Sequence, residues 1–246
     1  MAVYPNRNKQ LSLCCTLYVE REYMTIRFDA FEAQAAKLPV VRRRPSFYDK
    51  YGKRALDLFL VAISLPVVLP VIALLALIVF LSGGKAFYSQ PRLGQNGRTF
   101  QIYKLRSMIP NADQVLEAHL AANPDARAEW DLKQKLTDDP RITPFGALMR
   151  KTSLDELPQL FNVLRGDMSL VGPRPMMPDQ KALYPGKAYE LMRPGITGPW
   201  QVSDRNLSSF ASRAAFDTQY YEDLTLREDI SLLAKTVNVV LRGTGC

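Results

Sequence analysis

The stretch from Leu58 to Gly84 contains no charged side chain, and this constrains the fold of the chain more than any other feature. As a helix rising about 1.5 Å per residue, residues 58–81 would reach about 36 Å, which is enough to cross the hydrocarbon core of a bilayer. About fifty residues precede the stretch and no small-residue cleavage site follows it, so a signal peptide does not account for it. The pattern therefore predicts a segment in contact with a membrane.

Two prolines and the flanking charges predict the path of this segment. Pro66 and Pro70 lie in its middle, where each removes a backbone donor and crowds the preceding helical turn. Basic residues flank both ends, so either orientation of a spanning helix conflicts with the preference for positive charge on the cytoplasmic side. A re-entrant hairpin hinged at the two prolines resolves the conflict, and a kinked transmembrane helix is the alternative. The flanking residues are Arg42, Arg43, Arg44, Lys50, Lys53 and Arg54 on one side and Lys85, Arg92 and Arg98 on the other.

The composition narrows both the partners and the chemistry. Lys and Arg number 32 against 24 Asp and Glu, a net charge of +8 that favours anionic partners such as phospholipid headgroups, nucleotides and phosphates. No zinc-finger spacing, RNP-like strand or basic heptad helix indicates nucleic acid. His119 is the single histidine, so Ser–His–Asp, Cys–His and histidine-rich metal sites are not expected. Cys14, Cys15 and Cys246 form no disulfide framework, which fits a reducing compartment. Any catalytic groups are therefore expected to be carboxylates, lysines or arginines.

Three regions follow from these patterns. Residues 1–46 are predicted to be a variable N-terminal arm, residues 47–84 the membrane segment with an amphipathic approach to it, and residues 85–246 a cytosolic catalytic domain. The fold class predicted is α+β, mostly helical with a small β-hairpin and with amphipathic helices at the membrane interface. Asn96-Gly97 lies between two short strand-like runs and predicts the hairpin turn.

Helical patterns occupy much of the catalytic region. Residues 111–136 predict two helices broken at Asn123-Pro124, with Asn111 and Gln114 placed as a cap, and "TPFGALMRKT" predicts another short helix. The C-terminal "LREDISLLAKTVNVVLRG" predicts an amphipathic helix that ends at Gly243.

Two adjacent carboxylates, Asp155 and Glu156, stand out in this region. Ser153 and Glu156 match a capping box, which places the pair in the first turn of a helix; alternatively the helix begins at Pro158, with the pair just ahead of it. By helical spacing Asp155 shares a polar face with Gln159 and Asn162, which points away from the packed side. Acidic residues are common in a first helical turn, so the pair alone does not indicate catalysis.

Basic residues near the acidic pair indicate a candidate binding site for phosphate. Arg150 and Lys151 precede it by about one turn, while Arg174 and Arg193 lie in the rigid loops "VGPRP" and "RPGITG". A guanidinium held in such a loop binds phosphate oxygens well. Arginines, carboxylates and a helix N-terminus together are typical of a phosphate site that also holds Mg²⁺.

Four segments, "KRALDLF", "YKLRSM", "GALMRKTSLDELPQLFNVLRGDMSLVGPRP" and "RPGITGPWQVSDRN", carry a family resemblance. They closely resemble the bacterial monotopic polyprenyl-phosphate phosphoglycosyl transferases, the bacterial sugar transferase family, from about Lys53 to the C-terminus. The helical insert at 111–136 and the "DDPRITPFG" after it resemble the exopolysaccharide-priming branch, whose members transfer a hexose phosphate.

The resemblance implies a reaction in two steps. Asp155 would attack the β-phosphorus of a UDP-sugar and expel UMP, leaving a phosphosugar on the aspartate. Undecaprenyl phosphate would then accept the phosphosugar and yield a lipid-linked diphosphosugar. Glu156 would assist, either by positioning Mg²⁺ and substrate or by handling the proton of the acceptor.

The resemblance also implies the binding groups and the location. Asp155 would contact Mg²⁺, and basic residues would bind substrate phosphates. The sugar would be a hexose, galactose or glucose. The protein would act at the cytoplasmic face of the bacterial inner membrane, in contact with the phospholipid bilayer. A homo-oligomer is compatible with the resemblance. The basic residues of the implied site are Lys104, Arg150, Arg174, Arg193 and Arg205.

Two non-enzymatic alternatives stay open at this stage. In the first, the chain is a membrane-attached scaffold of a polysaccharide assembly complex, and the acidic pair merely caps a helix. In the second, the basic domain binds nucleic acid, which only the net charge supports.

Overall fold

The computed structural model describes residues 43–203 and 210–241. Residues 1–42 of the predicted arm, and with them Cys14 and Cys15, lie outside the described residues, as do Arg205, Gly243 and Cys246. The described helices are α1 (Lys53–Leu81), α2 (Ala112–Ala122), α3 (Pro124–Lys133), α4 (Pro144–Lys151), α5 (Gln159–Arg165), α6 (Ala188–Leu191), α7 (Pro199–Val202), α8 (Arg213–Asp223) and α9 (Leu226–Leu241). The strands are β1 (Phe87–Leu93), β2 (Thr99–Leu105), β3 (Ser169–Val171) and β4 (Gly195–Thr197). The predicted mostly helical α+β class is confirmed.

Helix α1 contains the uncharged stretch. Together with the preceding turn from Tyr48, it is the one helix among the described residues that is long and apolar enough to cross a membrane. Pro66 and Pro70 both lie inside it, so the structure does not divide the segment into two helices. A membrane anchor is thus available, and the return of the chain to the same membrane face stays a prediction.

Strands β1 and β2 form the predicted hairpin. They pair antiparallel from Leu93 opposite Thr99 to Phe87 opposite Leu105. Asn96 and Gly97 in the connecting turn have φ values of 59° and 70°, the left-handed region that asparagine and glycine tolerate best. The prediction from the Asn-Gly pair is confirmed.

A second, parallel sheet of two strands places the loops that contain Arg174 and Arg193 side by side. Ser169 of β3 pairs with Gly195 of β4, and Val171 pairs with Thr197. The backbones approach so closely that a Cβ on Gly195 would lie 2.1 Å from the nitrogen of Gly172. Glycine is therefore required here, and the loop that follows β3 is held against the loop that precedes β4.

The hydrophobic core joins α1 to the rest of the chain in two clusters. Near its start α1 contributes one buried valine to a cluster with β2 and α5, and near its end it contributes Leu75 and Val79 to a cluster with β2 and α4. The residues of the first cluster are Val61, Ile102, Leu160, Val163 and Met168, and Leu105 and Met149 complete the second.

Polar contacts strengthen the attachment of α1. Arg54 donates from Nη1 to the carbonyl of Val163 at 2.6 Å and from Nη2 to that of Leu164 at 3.1 Å, both at the end of α5. The Oδ1 atom of Asp57 accepts a hydrogen bond from the backbone of Leu170 in β3 at 3.0 Å. The first turns of the apolar helix are thus hydrogen-bonded directly to β3 and to the end of α5.

The predicted amphipathic C-terminal helix is present as α9. Leu232 on one side is buried, and Asp229 is buried at its start. Exposed apolar side chains occupy the other side; they are Leu226, Ile230, Val237 and Val240. Contact of this apolar side with a membrane surface stays a prediction.

Candidate active site

The acidic pair lies just ahead of a helix and not inside one. Residues Leu154–Glu156 form a single 3₁₀ turn, and α5 begins only at Gln159. Proline has no N–H to donate to the carbonyl of residue 154, so the helical ladder cannot run through Pro158. The alternative in which the pair precedes the helix is therefore confirmed. The capping box is wrong, because Ser153 has a left-handed backbone (φ 56°) and its side chain makes no capping bond within the described chain.

The predicted exposure of the polar face is also wrong. Asp155 is 5% exposed, Gln159 2% and Asn162 0%. Asn162 is buried because it bonds to the backbone of β2: its Oδ1 accepts from the nitrogen of Tyr103 at 3.1 Å, and its Nδ2 donates to the carbonyl of Gln101 at 2.7 Å. The polar face of α5 thus packs on the edge of the hairpin and fixes the position of the acidic turn.

Three predicted basic residues gather around the pair. Lys104 of β2 places its Nζ 2.7 Å from Oε1 of Glu156, and Arg174 places its Nη2 3.8 Å from the same oxygen. Lys104, Arg150 and Arg174 all act electrostatically on Asp155. The structure therefore brings together five of the predicted site residues, which come from β2, the end of α4, the acidic turn and the loop after β3.

The carboxylate of Asp155 is buried among these charges. Burial raises its pKa above the ordinary value, while Lys104 lowers it, Glu156 raises it and the two arginines lower it. Among the described residues its carboxylate accepts no hydrogen bond, so its oxygens remain available to a ligand. A poorly solvated carboxylate beside several cations is a strong nucleophile toward an electrophile that carries negative charge.

Two further predicted residues are placed differently. Arg193 donates from Nε to the carbonyl of Gly166 at 3.0 Å and lines a cavity of about 240 Å³ with Arg98 and Asp167. It is not one of the charges with the largest effects on Asp155. Arg205 lies outside the described residues. A phosphate-binding role for these two arginines stays a prediction.

Sequence patterns missed several residues near Arg174. Arg213, the first residue of α8, places its guanidinium 4.2 Å from the ring centre of Trp200 and 4.4 Å from that of Phe210. The positive charge of Arg92 in β1 lowers the pKa of Arg213. Arg174 lowers the pKa of Arg92 itself, and Glu156 raises it. Arg92 and Arg213 each look like an isolated surface charge in the sequence, and only the tertiary fold brings them to Arg174.

The acidic pair fits Mg²⁺ only together with a substrate. No group of three or more His, Cys, Asp or Glu side chains capable of holding a metal is present within residues 43–203 and 210–241. Mg²⁺ is usually bound in proteins by one or two carboxylates plus phosphate oxygens of the substrate. Asp155 and Glu156 would supply the carboxylates of such a site, and magnesium binding stays a prediction.

Asp217 of α8 makes stability depend on pH. Its carboxylate is buried and accepts a hydrogen bond from Tyr184 at 2.7 Å, and burial raises its pKa from 3.8 to about 7. Between these values the folded chain holds a proton that the unfolded chain releases, so this group reduces stability as the pH rises from about 4 to 7. We expect Asp217→Asn, which cannot titrate, to become more stable relative to the unchanged protein over that range, by as much as about 4 kcal/mol.

Unfolding in detergent at a series of pH values measures this effect. Asp223→Asn, at an exposed position of the same helix, is the matched control and should leave the pH dependence unchanged. Parallel stability curves for the Asp217→Asn variant and the unchanged protein would show that Asp217 does not titrate in this range.

Comparison with known proteins decides the family. A family model described as "Bacterial sugar transferase" matches residues 48–243. The chain belongs to the bacterial sugar transferase family. The predicted family is confirmed, and the match includes α1 as well as every residue grouped around Asp155.

Curated relatives support the assignment. The exopolysaccharide production protein ExoY of Rhizobium meliloti is 45% identical over 79% of this chain and 87% of its own length. The undecaprenyl-phosphate galactose phosphotransferase of Salmonella typhimurium is 47% identical over 80% of this chain and 42% of its own length. An uncharacterized sugar transferase of Haemophilus influenzae is 48% identical over 78% of this chain and 41% of its own length. The chain thus spans less than half of the latter two relatives.

Proposed function

We propose that this bacterial sugar transferase moves a sugar 1-phosphate from a UDP-sugar to undecaprenyl phosphate and thereby starts an exopolysaccharide repeat unit. The observation that carries the proposal is the buried, unbonded carboxylate of Asp155 among Lys104, Arg150 and Arg174. Such a group suits attack on a phosphorus whose own oxygens are negatively charged, because the surrounding cations neutralise them.

In the first step an oxygen of Asp155 attacks the β-phosphorus of the donor. The bond from that phosphorus to the oxygen bridging the two phosphates breaks, and UMP leaves with the bonding electrons. The aspartate then carries the sugar phosphate as a mixed anhydride. Because Asp155 is only 5% exposed, water has little access to this reactive linkage.

In the second step a phosphate oxygen of undecaprenyl phosphate attacks the same phosphorus. The bond to Asp155 breaks, the carboxylate is restored, and the product is undecaprenyl diphosphate carrying the sugar. No histidine base is needed, because the attacking and leaving oxygens in both steps belong to anions. One carboxylate thus serves a soluble donor and a lipid acceptor in turn.

The charged neighbours have separate tasks in this proposal. Glu156 holds the ammonium of Lys104 at 2.7 Å and the guanidinium of Arg174 at 3.8 Å, so it orients the two cations toward the phosphates. Arg150 adds a third positive charge from the end of α4. Asp155 and Glu156 would hold Mg²⁺ jointly with the substrate, and the ion would supply neutralisation of diphosphate charge.

A hexose is the proposed sugar, with galactose ahead of glucose. The Salmonella relative is named for galactose, and a relative in Erwinia amylovora is named a UDP-galactose-lipid carrier transferase. The printed name of ExoY supports a place in exopolysaccharide production.

Location at the cytoplasmic face of the inner membrane is part of the proposal. Residues near both ends of α1, Val61 and Val79, pack on the same catalytic unit, and exposed apolar side chains such as Val67 and Leu74 lie between them. We infer that α1 contacts the bilayer through this exposed apolar side and that both of its ends lie at the same membrane face. Labelling of a cysteine placed near residue 10 by an impermeant reagent added outside the cell would instead indicate a transmembrane helix.

The reaction is tested with the full chain in detergent, Mg²⁺ and undecaprenyl phosphate. We expect UMP release with UDP-galactose or UDP-glucose, and less with their N-acetylated counterparts. The identity of the nucleotide product is decisive, because release of UDP would mean that the sugar moves without its phosphate. A chain that releases neither nucleotide from any of these donors would favour the scaffold alternative.

A further inference from the structure

Three guanidinium groups converge beyond the acidic pair. They belong to Arg92 in β1, Arg174 in the loop after β3 and Arg213 at the start of α8. Burial lowers the pKa of Arg92, and Arg174 lowers it further. Burial lowers the pKa of Arg213 to about 9, with further lowering by Arg174 and Arg92. Like charges that depress each other in this way are destabilising unless an anion joins them.

Aromatic rings hold two of these groups in place. The guanidinium of Arg213 lies between Trp200 and Phe210, at 4.2 and 4.4 Å from the ring centres, and that of Arg174 is 5.9 Å from the centre of Trp200. Stacking on a ring fixes the plane of a guanidinium and leaves its N–H edges to a ligand.

Unsatisfied polar atoms concentrate in the same part of the chain. Six buried side-chain polar atoms have no hydrogen-bond partner within the described residues, and four of them belong to Arg92, Arg213 and Gln201. These atoms are the Nε atoms of both arginines and the two amide atoms of Gln201, which is 6% exposed and follows Trp200 in α7. Buried polar atoms without partners are rare in native proteins, and the three donors among these four indicate a missing acceptor.

Within residues 43–203 and 210–241, the two carboxylates near these arginines are already engaged by other groups. Glu156 is 3.8 Å from Arg174 but is shared with Lys104 at 2.7 Å. Asp217, one turn along α8 from Arg213, is engaged by Tyr184, and burial raises its pKa to about 7. Counted over the described residues, the three guanidinium groups outnumber the two carboxylates that act on them.

We propose that Arg92, Arg174 and Arg213 form a second phosphate subsite, which binds the phosphate that stays with the nucleoside when the donor is split. This assignment rests on the proposed function. Arg174 borders both groups, since it contacts Glu156 on one side and interacts with Arg92 and Arg213 on the other. The two phosphates of a diphosphate share a bridging oxygen, so one guanidinium between them can contact both. The subsite then neutralises the charge that develops on UMP as it leaves.

Equilibrium binding of UMP and of uridine to the full chain tests the subsite. We expect Arg213→Gln and Arg92→Gln each to weaken UMP binding roughly 10- to 100-fold, the usual effect of losing one charge-assisted contact. Uridine carries no phosphate, so its affinity should stay within about twofold. Arg127→Gln removes an exposed arginine of α3 and is the matched control, with both affinities expected to be unchanged.

Other outcomes overturn the proposal. Equal loss of UMP and uridine binding in both variants would mean that the two arginines only support the fold. Because Arg92 and Arg213 lie on different elements, misfolding of one variant still leaves the other to test the subsite. Unchanged UMP binding with a raised KM for undecaprenyl phosphate would assign these arginines to the acceptor phosphate instead. A chain that binds UMP through Arg92 and Arg213 but releases none from any UDP-sugar would refute the reaction and leave the subsite standing.

Discussion

Replacing Asp155 by asparagine should lower the rate of UMP release roughly a thousandfold or more, because an amide cannot form the mixed anhydride with the sugar phosphate. The same change should not harm the fold. Burial raises the pKa of Asp155, which means that the folded chain disfavours its charge, and asparagine has the same shape without that charge. Loss of activity with unchanged or higher thermal stability is therefore the expected pair of results.

Mass spectrometry of the intact chain makes the test direct. With a UDP-sugar and no acceptor, the unchanged protein should gain the mass of one sugar phosphate, and the Asp155→Asn variant should gain none. Asp125→Asn, at an exposed position of α3, is the control that should keep both the adduct and the turnover. Full turnover in the Asp155→Asn variant, or product formation without any adduct in the unchanged protein, would rule out the covalent route.

Replacing Asp229 by asparagine should reduce the free energy of unfolding by about 3–5 kcal/mol. Asp229 is 1% exposed and its Oδ2 accepts from Nζ of Lys53 at 2.7 Å and from the hydroxyl of Tyr48 at 2.5 Å, while its Oδ1 accepts from Tyr220. Asparagine leaves the largely buried ammonium of Lys53 without its counter-ion. These contacts join the start of α1 to α8 and α9, so the loss should loosen the helix from the domain.

Thermal or chemical unfolding in detergent measures this loss. Glu222→Gln removes one negative charge at an exposed position of α8 and should change stability by less than about 0.5 kcal/mol. Lys53→Met combined with Asp229→Leu should recover much of the loss, because neither charge then remains buried alone. An Asp229→Asn variant as stable as the unchanged protein would mean that water reaches Lys53 in the folded state.

Locally determined features could be predicted from the sequence. The hairpin at Asn96-Gly97 and the break at Asn123-Pro124 depend on the conformational limits of one or two residues, and the structure has both. The position of the acidic pair ahead of α5 likewise follows from the missing N–H of Pro158, although the capping-box spacing pointed elsewhere.

Features that depend on packing could not be predicted. Helical spacing identifies a polar face but does not show that Asn162 and Gln159 are buried against the hairpin. Strands β3 and β4 have three residues each, which is too short for any periodicity. Arg92 and Arg213 are separated by most of the catalytic region, so their convergence on Arg174 exists only in the folded chain.

The two core clusters that include α1 have a practical consequence for work on this protein. A water-soluble fragment made by deleting residues before β1 would lose Val61, Leu75 and Val79 and uncover their partners on β2, α4 and α5. The same truncation would remove Asp57 and Arg54, which bond to β3 and to the end of α5. Helix α1 is thus part of the domain's interior, and we expect the intact chain in detergent or a lipid nanodisc to keep these contacts.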